Sequence, residues 1–493
     1  MYRKIASNTI AQIASKAITA FISIFLIGIL TKYLPIEMYG NYNKIYSYLG
    51  IFAFLADLGL YTITIREISR KPKDIQRIVG NVLTLRAGLG LLVWILAFMI
   101  ALGLPGYHDS LTLIAIFIVG GFTLVSLINS SLLALMQSQM KMEFSLISVV
   151  SGKLVNIGLI CIFLLLVFTD VTQTPQAFIG VFIAGFAGIV LNTYMNYVYA
   201  KRIIPIKFLF EKEYIKHIFK ISLPYGLALF LSVVYFKIDI ILLSLLEVPE
   251  KANISIALYG LPMKIIEVLM VLGGFYLNSI LPSLSKKFTE KKSVEISHML
   301  GMSLKILISF AMLIFIMGNL FAHDIIGIIA TPQYLDPVGH IYNSAGALSI
   351  TLGVLLFHFI SLAFIYMLIA SERQGILLWV NSFVAIINVI GNLLLIPHYS
   401  FIGAAVVTLL SQIILMSICG YIVLKTIKIP RIYIINIIYT LGISIGVFYI
   451  FLVIKKSLEF SSLWNVLLLA PMMFLTYIAL ELIISRKILK ANT

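Results

Sequence analysis

Seven ionisable side chains lie deep inside stretches that are otherwise apolar: Lys16, Asp57, Lys153, Lys237, Asp239, Lys264 and Glu267. A charge near the middle of a bilayer costs about 2.5–3.5 kcal/mol on insertion scales, and it usually faces a protein interior or a water-filled cavity. Two kinds of chemistry suit such a set. Acids and lysines at equal depth can form ion pairs that hold helix hairpins together. Lysines in excess can hold an anionic headgroup. At a rise of 1.5 Å per residue, Lys16 and Asp57 sit about 9 and 12 Å from the inner ends of adjacent spans, close enough to pair. Asp239 and Lys264 are also matched in depth. Lys264 and Glu267 are three residues apart and share a helix face, whereas Lys237 and Asp239, two apart, cannot. Spacing names a counter-charge for Lys16 and Lys264 but not for Lys153 or Lys237, and an anionic substrate would supply one. Both readings stay open, the structural pairs and a cationic cavity.

These charges stand out because of the background they sit in. The chain has 493 residues, 61% hydrophobic and only 11% charged, with a mean hydropathy of +1.07. Soluble domains carry roughly 45–50% apolar and about 25% charged residues. That excludes a soluble enzyme, a disordered chain and a disulfide scaffold. Cys161 and Cys419 both lie in apolar runs and read as small core residues. The net charge of +16 sits in short clusters between apolar runs, the pattern of cytoplasmic loops and not of a nucleic-acid surface. Arg3 and Lys4 precede an apolar stretch without a small-residue cleavage site, so it reads as an uncleaved first helix.

A helix needs about 20 apolar residues to cross a bilayer. Fourteen segments qualify: 10–31, 43–65, 82–104, 111–136, 145–168, 177–198, 221–246, 255–278, 301–322, 344–370, 375–396, 401–424, 432–454 and 462–484. The expected fold is therefore all-α and polytopic, with 14 transmembrane helices. If the N-terminus is cytoplasmic, 25 basic residues fall in inside segments and five in outside segments, which fits this topology with both termini inside. The outside loops are short, and the longest spans 323–343. No external domain is expected, which counts against a membrane-embedded glycan polymerase. Arg86 and Lys305 lie near the inner ends of their spans and are expected to snorkel to the headgroups.

The basic connection 199–220 is the longest inside segment and reads as a linker between two six-helix lobes, 1–198 and 221–424. The last two helices and tail, 425–493, form an appendage. An even helix count per lobe implies a parallel repeat. A shift of 220 residues places Tyr39-Gly40 on Tyr259-Gly260, Lys44 on Lys264, Ile45 on Ile265 and Arg66 on Lys286.

Asn388 and Asn392, four apart, form a polar stripe on one helix, which suits hydrogen bonding between helices. Gly120-Gly121, Gly185 and Gly188 mark close helix packing. Pro224 opens the seventh span and Pro262 lies early in the eighth. No phosphate-binding Gly-rich loop and no cluster with metal-ligand spacing occurs, so neither ATP hydrolysis nor a bound metal is expected and no cofactor is implied. Energy would come from an H+ or Na+ gradient, the membrane potential or the substrate gradient.

Several segments together resemble the Wzx-type polysaccharide transporters of the MOP superfamily, which also contains lipid II flippases and MATE drug exporters. They are Glu37-Met38-Tyr39-Gly40, Phe54 to Leu60, Ile65 to Arg70, Lys237 to Ser244, Ala257 to Gly260 with Lys264 to Glu267, Leu281 to Ser285, and Asn392 to Pro397 closing with Gly403-Ala404-Ala405. The resemblance implies two six-helix lobes around a central cavity that opens alternately inward and outward. It implies an oligosaccharide on a polyprenyl pyrophosphate carried to the outer leaflet of a bacterial cytoplasmic membrane, without enzymatic activity. Other polysaccharide-assembly proteins are implied as partners. In related flippases, cationic residues of spans one, two, seven and eight line the cavity, and Lys16, Lys237 and Lys264 occupy matching spans. The two extra helices resemble those that extend a lipid groove in the lipid II branch. The alternative reading is a cation-coupled, MATE-like multidrug exporter, which would need a buried acid free to exchange a cation.

Overall fold

The computed structural model describes residues 2–168, 173–373, 375–458 and 460–491. The side chains of residues 1–14, 16, 17, 225, 228, 232 and 485–493 fall outside that description. Every one of the fourteen expected segments falls on helix. The order is α1 (Tyr2–Tyr33), α2 (Ile36–Asp57), α3 (Leu60–Arg70), α4 (Ile75–Gly103), α5 (Ser110–Ser138), α6 (Met142–Ile162), α7 (Thr174–Lys201), α8 (Lys212–Leu246) and α9 (Pro249–Thr289). There follow α10 (Ser293–Leu320), α11 (Ala322–Ile329), α12 (Ser344–Ala370), α13 (Gly375–Leu424), α14 (Arg431–Leu458), the short α15 (Ser462–Trp464) and α16 (Ala470–Ala491). Among the described residues, twelve helical stretches are long and apolar enough to cross a membrane, and Ile18–Tyr33 is a shorter apolar helix.

One of the twelve, α13, is fifty residues long and contains a reversal. Ser400 adopts φ 52° and ψ −139°. Asn388 donates to Ser411 at 3.3 Å, and a Cβ on Gly403 would lie 2.6 Å from the Leu395 carbonyl. These pairs are symmetric about residues 399–400, so the chain turns back on itself there. The halves match the expected segments 375–396 and 401–424. The residue Pro397, just before the turn, cannot support a continuing ladder of amide donors.

Several helices outrun their apolar segments. The expected 255–278 becomes α9, 41 residues and about 60 Å long. Pro224, expected to open a helix, lies inside α8, which starts at Lys212. Hydropathy measures the bilayer, not the point at which a helix ends. The outer connection 323–343 is partly helical. In α11, Asp324 accepts from Lys455 at 2.5 Å and from Asn465 at 2.9 Å, which ties it to α14 and the last span. Burial alone would raise the Asp324 carboxyl, but hydrogen bonds from Lys455 and Asn465 outweigh it and hold the group below its ordinary value of 3.8. A depressed folded-state value means that the contact stabilises fully above that pH and is lost as pH falls below it. Thermal unfolding should therefore become easier below about pH 4, and Asp324→Asn should blunt that dependence in a melting series across pH.

The chain divides into two compact units, Met1–Asn253 and Ile254–Thr493. The boundary of the first unit falls within α9, and α8 packs on α2, α3 and α4. In the first unit α2 also packs on α4 and α5, while α7 packs on α5 and α6. The α6–α7 crossing is closest at two glycines. A Cβ on Gly152 would stand 2.6 Å from the Gly188 carbonyl, and the reverse holds equally. Gly120 likewise accepts the Trp94 ring, and Gly185 faces the Tyr46 hydroxyl. Replacing Gly152 by leucine should cost at least the roughly 1–3 kcal/mol of an overpacked core. The amount of monodisperse protein recovered from membranes reads this out, and wild-type recovery would refute the close crossing.

In the second unit α12 packs on α10 and α13, and α14 and α16 pack on α10 and on each other. The added helices dock through Tyr433 against Gly301 and through a polar cluster. In that cluster Thr440 and Ser309 donate to Glu481 at 2.5 and 3.2 Å, and Tyr477 donates to the Ser309 carbonyl at 3.0 Å.

Candidate functional site

The second span is broken in mid-course, and the break carries its charge. Asp57 is the last residue of α2. Leu58 (φ 44°) and Gly59 (φ 69°) are both left-handed, after which α3 resumes. Glycine adopts this geometry freely, whereas leucine does so only under constraint. The constraint comes from α8, whose backbone runs directly over the break. A Cβ on Gly226 would come within 2.4 Å of the Leu58 carbonyl.

The break presents the Asp57 carboxylate to Arg86 of α4, and the two form an ion pair. The Arg86 side chain is 0% exposed and that of Asp57 is 26% exposed. Arg86 also donates to Ser131 of α5 at 3.0 Å, and Tyr61 of α3 donates to Gln137 of α5. This corrects one expectation and adds a partner. Arg86 does not snorkel, and it is an ion-pair partner of Asp57 that depth along the helices did not name. Depth along a helix allowed either outcome; the direction in which Arg86 faces decided it. The side chain of Lys16 lies outside the described residues.

Lys153 lies half-buried on α6 and lines a small cavity of about 70 Å³ with Asn156 and Asn192, floored by Gly152 and Gly188. Beyond it Asn196 donates to Asn192 at 3.1 Å and to Asn129 of α5 at 2.7 Å. The Asn192 and Asn196 pair was missed from sequence although its spacing equals that of Asn388 and Asn392. On α8, Lys237 is half-buried and Asp239 fully buried.

In the second unit Lys264 donates to Glu267 at 3.0 Å, and both side chains are about one-third exposed (28% and 32%). Lys264 therefore has a carboxylate on its own helix, one of the two partners its spacing allowed. Asn388 and Asn392 are fully buried. Asn392 donates to the Asn388 carbonyl at 3.0 Å, and Gln412 donates to Ser361 at 3.0 Å, which links α13 to α12.

Lys44, at the edge of the expected segment 43–65, sits two turns inside α2 and is 3% exposed. It donates to the Gly106 carbonyl at 2.6 Å and lies 5.0 Å from the Tyr107 ring centre. Among the described residues, no group of three His, Cys, Asp or Glu could hold a metal ion. The arrangement offers lysine ammonium groups, internal ion pairs and amide stripes within apolar helices. It is suited to holding anions and polar groups at membrane depth.

The sequence profile of the family described as polysaccharide biosynthesis protein matches residues 5–288, more than half of the chain. The chain belongs to this family. The chain also shares its fold with solved MOP-superfamily structures. A structure described as the lipid II flippase MurJ, inward closed conformation, superposes with a TM-score of 0.74 at 16% identity, covering 99% of each chain. An inward-facing multidrug resistance MATE family transporter gives 0.64 at 14% identity, over 85% of this chain and 98% of that one. A MOP superfamily transporter from Pyrococcus furiosus, described as having a binding pocket of reverse polarity, gives 0.57 at 15% identity, over 86% and 96%. No curated protein matches the sequence. The chain is thus a multi-pass, all-α membrane protein with a MOP-like fold.

Proposed function

We propose that this protein is a flippase that moves a lipid-linked oligosaccharide, a polyprenyl pyrophosphate sugar, from the inner to the outer leaflet of a bacterial cytoplasmic membrane. The observation that carries the reading is the placement of Lys153, Lys237 and Lys264, half-buried on apolar helices, in a chain of the polysaccharide biosynthesis family. The cargo has an anionic, hydrophilic head and a long apolar tail. Its head needs a polar, cationic path through hydrocarbon, while its tail can stay in lipid.

In this reading the chain crosses the membrane fourteen times with both termini inside. Residues 1–198 and 221–424 form the two lobes, 199–220 joins them, and 425–493 adds a lipid-facing pair of helices. The protein works by alternating access and is not an enzyme. Lys16, Lys153, Lys237 and Lys264 line the cavity, and Asp57, Asp239 and Glu267 balance its charge. Transport draws on an H+ or Na+ gradient or the membrane potential, and other polysaccharide-assembly proteins deliver and use the cargo.

A MATE-like, cation-coupled drug exporter is the second reading, favoured by the shared fold. The Asp57–Arg86 pair weighs against it, since an acid held by a buried guanidinium is poorly placed to exchange a cation. The deciding experiment depletes the protein and measures lipid-linked oligosaccharide on each leaflet. Build-up on the cytoplasmic face, reversed by re-expression, is expected. An unchanged distribution together with protein-dependent dye efflux would refute the flippase and support the exporter.

A further inference from the structure

A cavity of about 390 Å³ opens at one end of the second unit, where the α9–α10 connection, the end of α12 and the end of α13 meet. Two cations reach it from different connections, Lys291 and Arg373. Their surroundings differ from those of the neighbouring lysines. Lys286, Lys287 and Lys292 are all paired with Glu290 or Glu295. Among the described residues, neither Lys291 nor Arg373 forms an ion pair.

The backbone explains the difference. Lys291 adopts φ 54° and Glu372, immediately before Arg373, adopts φ 61°. Non-glycine residues take left-handed geometry only where the surrounding structure holds them there. Here it sets Lys291 and Arg373 on the cavity lining. Ser293 and Ser297 add hydroxyls to the lining, and Met367 and Ile422 add apolar surface.

We infer that this cavity binds the phosphate headgroup of an anionic phospholipid from the leaflet on the basic side of the protein. Three features choose that occupant. Two cations from separate connections match a single phosphate and give it charge-assisted hydrogen bonds. The volume lies within the range of small-ligand sites. The apolar part of the lining continues from helices of membrane-crossing composition, so a headgroup seated here can leave its acyl chains in the bilayer. The end in question carries Lys286, Lys287, Lys292 and Arg373, the clusters that the positive-inside pattern places in the cytoplasm. The site is separate from the lysines proposed to hold the transported headgroup, and its test does not depend on transport.

The full chain is purified and examined by native mass spectrometry with phosphatidylglycerol or with phosphatidylcholine of the same acyl chains. The variant is Lys291→Gly combined with Arg373→Ala, because glycine keeps the left-handed backbone while removing the charge. Wild-type protein should retain phosphatidylglycerol over phosphatidylcholine, and the variant should bind it about tenfold more weakly or worse. Unchanged melting of the variant in phosphatidylcholine alone verifies its fold. Should that variant unfold, Ser297→Leu, which fills the cavity and keeps both charges, should give the same loss. Equal retention by wild type and variant, or no preference between the two lipids, would overturn the proposal. So would competition by millimolar inorganic phosphate as effective as that by the lipid, since the site would then take a free phosphate.

Discussion

Replacing Asp57 by alanine is expected to destabilise the protein by about 3–5 kcal/mol, the usual consequence of leaving a buried charge without its partner. The predicted damage is unequal between the two members of the pair. Asp57→Ala strands a guanidinium that is 0% exposed and leaves it only Ser131. Arg86→Ala strands a carboxylate that is 26% exposed and can be hydrated. Arg86→Ala should therefore be the milder single change. Replacing both at once, Asp57→Ala with Arg86→Ala, removes the charges together and should cost less than the sum of the two single losses. Thermal unfolding of the four purified proteins in one detergent completes the cycle. Additive losses would show that the pair does not act as a unit.

Lys237→Ala is the second large effect, and it concerns transport instead of stability. The lysine is half-buried on α8, two residues from the fully buried Asp239. In the proposed flippase it holds the pyrophosphate. Losing a charged hydrogen bond of about 1.5–3 kcal/mol should slow flipping roughly 10- to 100-fold. Expression and melting temperature should stay near wild type, and Lys237→Arg should restore much of the rate by keeping the charge. Leaflet-resolved measurement of the lipid-linked cargo in cells carrying each variant gives the answer. Normal flipping at normal protein levels would remove Lys237 from the path of the headgroup.

The helices were legible in the sequence because a bilayer imposes one simple demand, about 20 apolar residues with every amide satisfied internally. Even the reversal at Ser400 was legible, as the gap between two apolar runs. What hydropathy could not give was direction. Arg86 and Lys305 look alike on a depth scale, yet Arg86 turns inward because the broken α2 offers it a carboxylate. The break itself has a faint signal in Asp57-Leu58-Gly59, since glycine after a helix is a common terminator. In an apolar run of this length that signal is easily outweighed. Lys44 stands at the very edge of the expected segment 43–65, but α2 begins seven residues earlier, at Ile36, so the lysine lies two turns inside the helix and is buried. The asparagine pair on α7 had the same four-residue spacing as the pair on α13, and only the lysine-lined cavity beside it gives it interest.

The break in α2 has a mechanical meaning. In an unbroken helix a bend must rupture hydrogen bonds, whereas at Leu58–Gly59 the ladder is already interrupted, so the joint can flex at little enthalpic cost. The α8 backbone rests on that joint through Gly226. A swing of α3 therefore cannot occur without displacing α8. The two levers end in Arg66 and Arg70 on one side and Lys212, Lys216 and Lys220 on the other. Motion at a point in the hydrocarbon would thus be read out as a rearrangement of positive charge at the membrane surface, where lipid headgroups and the membrane field can act back upon it.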